Sequence, residues 1–306
     1  MNSRPIPWLH CLLLFGLTGC GEGDSPVENP PGTLVPGQNF ALEFFGTTAD
    51  RVGRLDIARS TQIQTGITPN PLNFGGDFTI EFWIFATSAN DLFAGFGCNG
   101  PGIGWISSNI VMDADRNSGN VDNDYGISIG NGSLQFGIAD GSTSWTICGS
   151  TQVTDSQWHH VAFTRDASAG AMAIYVDGQL DVSTNQGPTG SVAFVQGTFG
   201  SPDDHLITFG VEHHDLVDRD FTGAIDELRF SNVVRYEGPT VQVPTAAFSP
   251  DANTVGLYHF DEGSGTVAAN SATVAFDPFW NPDGILAVGG SPPGPAWITS
   301  TAPTGR

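Results

Sequence analysis

Closely spaced carboxylates are the first chemistry this chain offers. Asp113, Asp115 and Asn117 alternate with other residues, and Asp124 closes the stretch. Oxygen ligands therefore stand at the first, third, fifth and twelfth positions of a loop, and calcium takes roughly six to eight oxygens. Two departures weaken the match: Ser118 stands where an EF-type loop has glycine, and Asp124 has a shorter arm than glutamate. The same spacing also suits a solvated acidic hairpin loop. A second acidic pair, Asp226-Glu227, lies between Ile225 and Leu228. Strict alternation sends Ile225 and Leu228 to opposite faces, so either both faces are buried there or a bulge re-aims the two acids. Asp226 then either accepts backbone N–H groups in a turn or stands as a candidate calcium ligand, with Asp261 and Asn270 available to the same region.

Other constellations are weaker. Glu212-His213-His214-Asp215, with His205 and Asp218 nearby, has the residue types of a transition-metal site. Adjacent histidines point apart on a strand, however, so they share a metal only in a loop. Trp158-His159-His160 has no serine or cysteine nucleophile assignable to it, and reads as part of a packed strand. The chain has no nucleophile elbow, zincin helix or phosphate loop. No catalytic residue is assigned, and a non-enzyme is expected. Trp83, Trp105, Trp145 and Trp280 are candidate platforms for stacking sugars if they are exposed, and core residues if they are not.

The amino terminus is a segment for export. Arg4 precedes an apolar stretch from Leu9 to Leu17, too short to span a membrane, which ends on Leu17-Thr18-Gly19-Cys20. That ending resembles the bacterial lipobox, which implies that residues 1–19 are removed and that Cys20 carries lipid. Several acyl chains on one cysteine hold a protein firmly, at about 0.8 kcal/mol for each buried methylene. The expected location is the cell envelope, on the outer membrane or cell surface, with membrane contact through the lipid alone. Of four cysteines, Cys11 leaves with the signal and Cys20 is acylated, so Cys98 and Cys148 are expected to form a disulfide in an oxidising compartment.

Residues 20–37 are rich in Gly, Pro and acids without apolar periodicity and read as a flexible tether. The rest, 38–303, reads as one domain. The chain carries 10 basic and 32 acidic side chains. Removal of Arg4 with the signal leaves nine cations, all of them arginine. Such a surface repels nucleic acid. Forty glycines and twenty prolines, among many Thr, Ser, Phe and Val, favour short strands and turns. The clearest strand is Phe78–Phe85, apolar on one face and bulky on the other. Asn131-Gly132 and Asp177-Gly178 are turn pairs of two hairpins, within Gly126–Ile138 and Ala173–Val182. Further strands are expected at Ala41–Phe45, Trp158–Arg165, Leu206–Gly210, Ala224–Phe230 and Val255–Phe260. One at Ala296–Ser300 should pair with the first. The fold class is all-β, a two-sheet antiparallel jelly-roll sandwich.

Several stretches in order resemble LamG-like domains of the concanavalin A-like lectin/glucanase superfamily. They are Gly76–Trp83, Asp124–Ile129, Trp158–Ala162 with Ile174–Gly178, Phe221–Arg229 and Phe260–Gly265. The resemblance covers roughly residues 40–300 and implies a concanavalin A-like jelly roll serving recognition. It also suggests that Asp226 and Glu227 lie near a cation or an inter-sheet hydrogen-bond site. Glycosidases of the superfamily place acids in a Glu-x-Asp-x-x-Glu pattern; here Ala224 and Arg229 occupy its ends, so the carboxylate pair is absent. The fold alone does not decide function. The expected role is non-enzymatic binding of a polysaccharide or surface glycan, with Ca2+ as a possible cofactor. The alternatives are a module for adhesion to an envelope protein and, last, a divergent glycosidase.

Overall fold

Alternating apolar and polar residues become strands when one face finds an apolar partner. The computed structural model describes residues 39–46, 52–59, 70–91, 97–115, 123–194, 205–212, 219–275 and 282–305, which form seventeen strands. In chain order they begin β1 Phe40–Phe45, β2 Arg54–Ala58, β3 Phe78–Ala86, β4 Gly100–Pro101, β5 Asn109–Asp113 and β6 Asp124–Gly130. Next come β7 Ser133–Ala139, β8 Ser144–Gln152, β9 Trp158–Asp166, β10 Ala171–Val176, β11 Gln179–Thr184 and β12 Leu206–Phe209. The last are β13 Thr222–Ser231, β14 Thr254–Tyr258, β15 Val267–Ala268, β16 Gly284–Ala287 and β17 Ala296–Thr299.

Eight strands make one antiparallel sheet in the order β11-β10-β9-β3-β13-β1-β17, with β14 paired to β13. Nine make a second, in the order β15-β16-β2-β12-β5-β6-β7-β8-β4. Their inner faces form one core. Phe78, Ile80, Phe82 and Ile84 of β3 and Val161 and Phe163 of β9 face Ile127, Ile129, Leu134 and Phe136 of β6 and β7. Each of these large side chains contributes about 1.5–3 kcal/mol when fully buried. Both hairpins form where the turn pairs place them: Asn131 and Gly132 have φ of 52° and 79°, and Asp177 and Gly178 have 48° and 74°. The two-residue turns fix register, with Gly130 opposite Ser133 and Val176 opposite Gln179. The expected pairing of the last strand with the first is present, from Phe40 opposite Thr299 to Glu43 opposite Ala296.

The outward face of β3 is also buried, because the chain folds back over it. Thr79 Oγ1 donates to Val233 O at 2.8 Å and accepts the Arg235 N–H at 2.9 Å. Tyr236 Oη donates to Glu81 at 2.5 Å, and Phe248 lies over Arg229, 4.4 Å from guanidinium carbon to ring centre.

Two polar anchors hold the connections. Arg165 is fully buried, and its guanidinium donates to the carbonyls of Gly75, Gly76, Pro188 and Gly190. Arg165→Met leaves those carbonyls without a donor and should cost about 3 kcal/mol, seen as a lower urea midpoint; an unchanged midpoint contradicts this role. His159 sits between Asp177 (2.7 Å) and Asp155 (3.0 Å). The Asp177 hydrogen bond, opposed by partial burial and reinforced by Asp155, raises its pKa above 6.5. A raised folded-state value adds stability that is complete below the unfolded pKa and is lost as pH rises through the folded one. The stability difference between wild type and His159→Gln should therefore shrink on going from pH 5.5 to pH 8.5, and a difference constant across that range would refute the assignment.

Candidate functional site

Asp113 is the last residue of β5. The β5–β6 register shifts between Ile110 and Met112, after which Met112 pairs with Ile127 and Asp113 with Gly126. Asp113 Oδ1 then accepts the Asp115 N–H at 3.0 Å, turning the chain so that both carboxylates stay together. The third member comes from elsewhere. After β12, Gly210 adopts φ +97° and donates to Val111 O at 3.0 Å; a Cβ there would lie 2.3 Å from the Phe44 ring. This turn, open only to glycine, carries Glu212 back over β5. One carboxylate oxygen from each of Asp113, Asp115 and Glu212 lies within 4.8 Å of the others. Asp113 and Glu212 are buried and Asp115 partly so.

Arg59 lies beside this group. It is fully buried, donates to Asp115 O at 3.4 Å, and packs over the rings of Tyr125 and Phe194. Carboxylates this close repel one another unless protonated or neutralised by cations. An all-oxygen donor set suits a hard cation such as calcium, which takes its remaining oxygens from backbone and water.

The structure regroups the residues singled out by spacing. Asp113 and Asp115 are together, and Glu212 completes the cluster in place of a consecutive loop. Asp124 begins β6, pairs with Ala139, and falls outside that cluster. Asn117 lies outside the described residues, as do His213, His214, Asp215 and Asp218. Asp226 belongs to the other sheet: it pairs with Trp83 in β3 and accepts a hydrogen bond from Ser300 Oγ at 2.5 Å. Its separation from the cluster follows from the sheet it lies in, where regular pairing turns Ile225 into the core and Asp226 outward; the bulge in β13 comes after it, with Glu227 at φ +52°. The bulge turns Glu227 toward His259 Nδ1 (2.9 Å) and the Phe248 N–H (2.8 Å). Cys98 and Cys148 are disulfide-bonded, tying the chain before β4 to β8. Cys20 and Trp280 lie outside the described residues.

The acids of the eight-stranded sheet are locked. Glu81 is fully buried and bonds His160 at 3.2 Å, Arg229 at 2.8 Å and Tyr236 at 2.5 Å. Burial pushes its pKa up, but His160, Arg229 and Tyr236 outweigh that and hold it below the usual glutamate value. Burial and the Glu81 charge push the Tyr236 phenol up. Among the tryptophans, Trp83 and Trp105 are buried, Trp145 is partly buried against the core, and Trp158 is partly exposed. Trp105 lies flat on two facing glycines, Gly126 and Gly137. A Cβ at Gly137 would be 1.8 Å from its ring, and one at Gly126 would be 2.1 Å away. Glu212 stands in the sequence among His213, His214 and Asp215 as a transition-metal candidate, but nothing local links it to Asp113 and Asp115, and the seat of Trp105 likewise depends on distant strands.

The laminin G family model of the concanavalin A-like lectin/glucanases superfamily matches residues 59–237, and the chain belongs to that superfamily. Among solved structures, a Bacteroides ovatus protein aligns at 17% identity over 76% of this chain and 56% of that one, with TM-score 0.44. The chain thus spans little more than half the length of that protein. The SAP-like pentraxin of Limulus polyphemus aligns at 16% identity over 65% and 78%, with TM-score 0.40. The CBM40 of Ruminococcus gnavus IT-sialidase, bound to α2,3-sialyllactose, aligns at 16% identity over 65% and 93%, with TM-score 0.44. No curated protein matches the chain.

Gly137→Ala should expel Trp105 from its seat, lowering stability by about 2 kcal/mol and moving tryptophan emission to the red. Unchanged emission with unchanged stability would contradict the seating of Trp105 on the glycine strip.

Proposed function

We propose that this chain is an exported, lipid-anchored recognition module that binds a polysaccharide or surface glycan without cleaving it. The observation that carries the reading is the convergence of Asp113, Asp115 and Glu212 from two separate loops. A calcium ion there would tie the loops together and leave coordination positions for sugar hydroxyls. Cys20 is the proposed lipid attachment point, and the membrane is reached through that lipid alone. Nucleic acid is not a partner for a chain of net charge −22.

Two features favour binding over catalysis or protein adhesion. Glycoside hydrolysis needs two carboxyl groups about 5–9 Å apart and facing the substrate. On the eight-stranded sheet, Glu81, Asp226 and Glu227 are all fully buried. Among the described residues, the exposed large apolar side chains are Ile285 and Val288, a small area for an adhesive protein face.

Retention of the protein on a panel of polysaccharides, with calcium and with a chelator, tests this reading. Retention on one glycan class, greater with calcium and without release of reducing ends, is the expected result. No retention in either condition transfers the reading to an adhesion module that captures an envelope protein. For the anchor, Cys20→Ser should move the protein from the membrane fraction to the soluble one; membrane retention of the variant removes the lipoprotein claim.

A further inference from the structure

The outward face of the eight-stranded sheet is covered over its middle. Tyr236 sits on Glu81, Phe248 packs against Arg229 and His160, and Ser300 bonds Asp226. Beyond these, one row crosses the sheet. Register sets Trp158 of β9 opposite Phe85 of β3, Phe85 opposite Ala224 of β13, Ala224 opposite Glu43 of β1, and Glu43 opposite Ala296 of β17. Directly paired residues share a face, so all five point outward. Trp158, Phe85 and Glu43 remain partly exposed, and Ala224 between them is buried. From Trp158 to Glu43 is three strand spacings, about 14 Å.

The row has two chemical ends. At one, the Trp158 and Phe85 rings meet at 5.8 Å and 56°. The indole N–H donates to Thr301 Oγ1 at 3.1 Å, which fixes the ring before anything binds. At the other, Glu43 makes no side-chain hydrogen bond or ion pair among the described residues, and burial raises its pKa. A partly desolvated carboxylate without a donor is an acceptor awaiting one.

We propose that this row is a second glycan-contact site, separate from the acidic cluster, that takes an uncharged pyranose chain. The C–H face of one sugar stacks on the Trp158 ring, which Phe85 supports, and hydroxyls further along the chain donate to Glu43. The charge argues for an uncharged chain: an acidic sugar would meet Glu43 in a protein of net charge −22. The inference rests on the glycan-binding reading above.

Affinity electrophoresis of the full-length protein in calcium, through gels holding β-glucan, xylan or galactomannan, tests it. Trp158→Ala and the near-isosteric Glu43→Gln should each weaken retention by about tenfold. Trp158→Phe should keep part of it. Wild-type retention by Glu43→Gln and Trp158→Ala overturns the row and leaves the glycan reading standing. No retention of wild type on any gel, charged or uncharged, overturns the glycan reading and this inference with it. Melting temperatures identify any variant that has failed to fold, and Glu43→Gln, at a side chain without a partner among the described residues, should melt as wild type does.

Discussion

A chain with 32 acidic and 10 basic side chains must find donors or cations for every carboxylate it buries. An unpaired buried charge costs several kcal/mol, a large fraction of the stability of an ordinary domain. Much of the architecture follows from where those partners come from. Glu81 is met by Arg229, His160 and Tyr236, and Glu227 by His259 and a backbone N–H. Donors also hold acids nearer the surface: exposed Asp251 is kept below its ordinary value, first by Arg235, through a bidentate pair at 2.9 and 2.7 Å. Asp140 is held at about 2: burial works against it, but donors from Thr143, Ser142 and Gly190 prevail.

The same constraint explains why the eight-stranded sheet is closed over its middle. Polar groups on an outward strand face can be left to water or covered by chain that satisfies them. Here residues 232–250 and 300–304 cover them, and the cover brings Tyr236, Arg235 and Ser300 as partners. Chemistry toward large solutes is thereby moved away from Asp226 and Glu227. Partly exposed groups remain at Trp158, Phe85 and Glu43 of that sheet and at Asp115 beside the other.

Much of the fold was legible in the sequence because its signals are local. Alternation in Phe78–Phe85 gave β3, and Asn131-Gly132 and Asp177-Gly178 gave two registers directly. Strands β2, β4, β5, β8, β15 and β16 lack such a signal. In β8, Ser144–Gln152, the apolar residues are too few to alternate over the full length, and the strand is held by β7 and by Asp181 from β11, which accepts from Ser150 and Thr151. The site was half legible. Asp113 and Asp115 declare themselves by spacing, whereas Glu212 reaches them through a glycine turn after a separate strand. Asp226 resembles them in type, but its place in the other sheet, with Ile225 turned into the core, sends it outward to Ser300. The roles of Trp105 and Trp158 likewise depend on what lies opposite each of them, glycines in one case and Phe85 in the other.

The claim on which the functional account turns is that Asp113, Asp115 and Glu212 hold a divalent cation. Thermal unfolding of the full-length protein in calcium and in chelator measures this directly, since an ion bound only to the folded state adds about 2.7 kcal/mol at a hundredfold excess over Kd. The account predicts a higher midpoint in calcium for wild type and for Asp226→Asn, and no calcium shift for Asp113→Asn or Glu212→Gln. A wild-type midpoint that is the same in calcium and chelator, or a shift that survives Asp113→Asn, would contradict it.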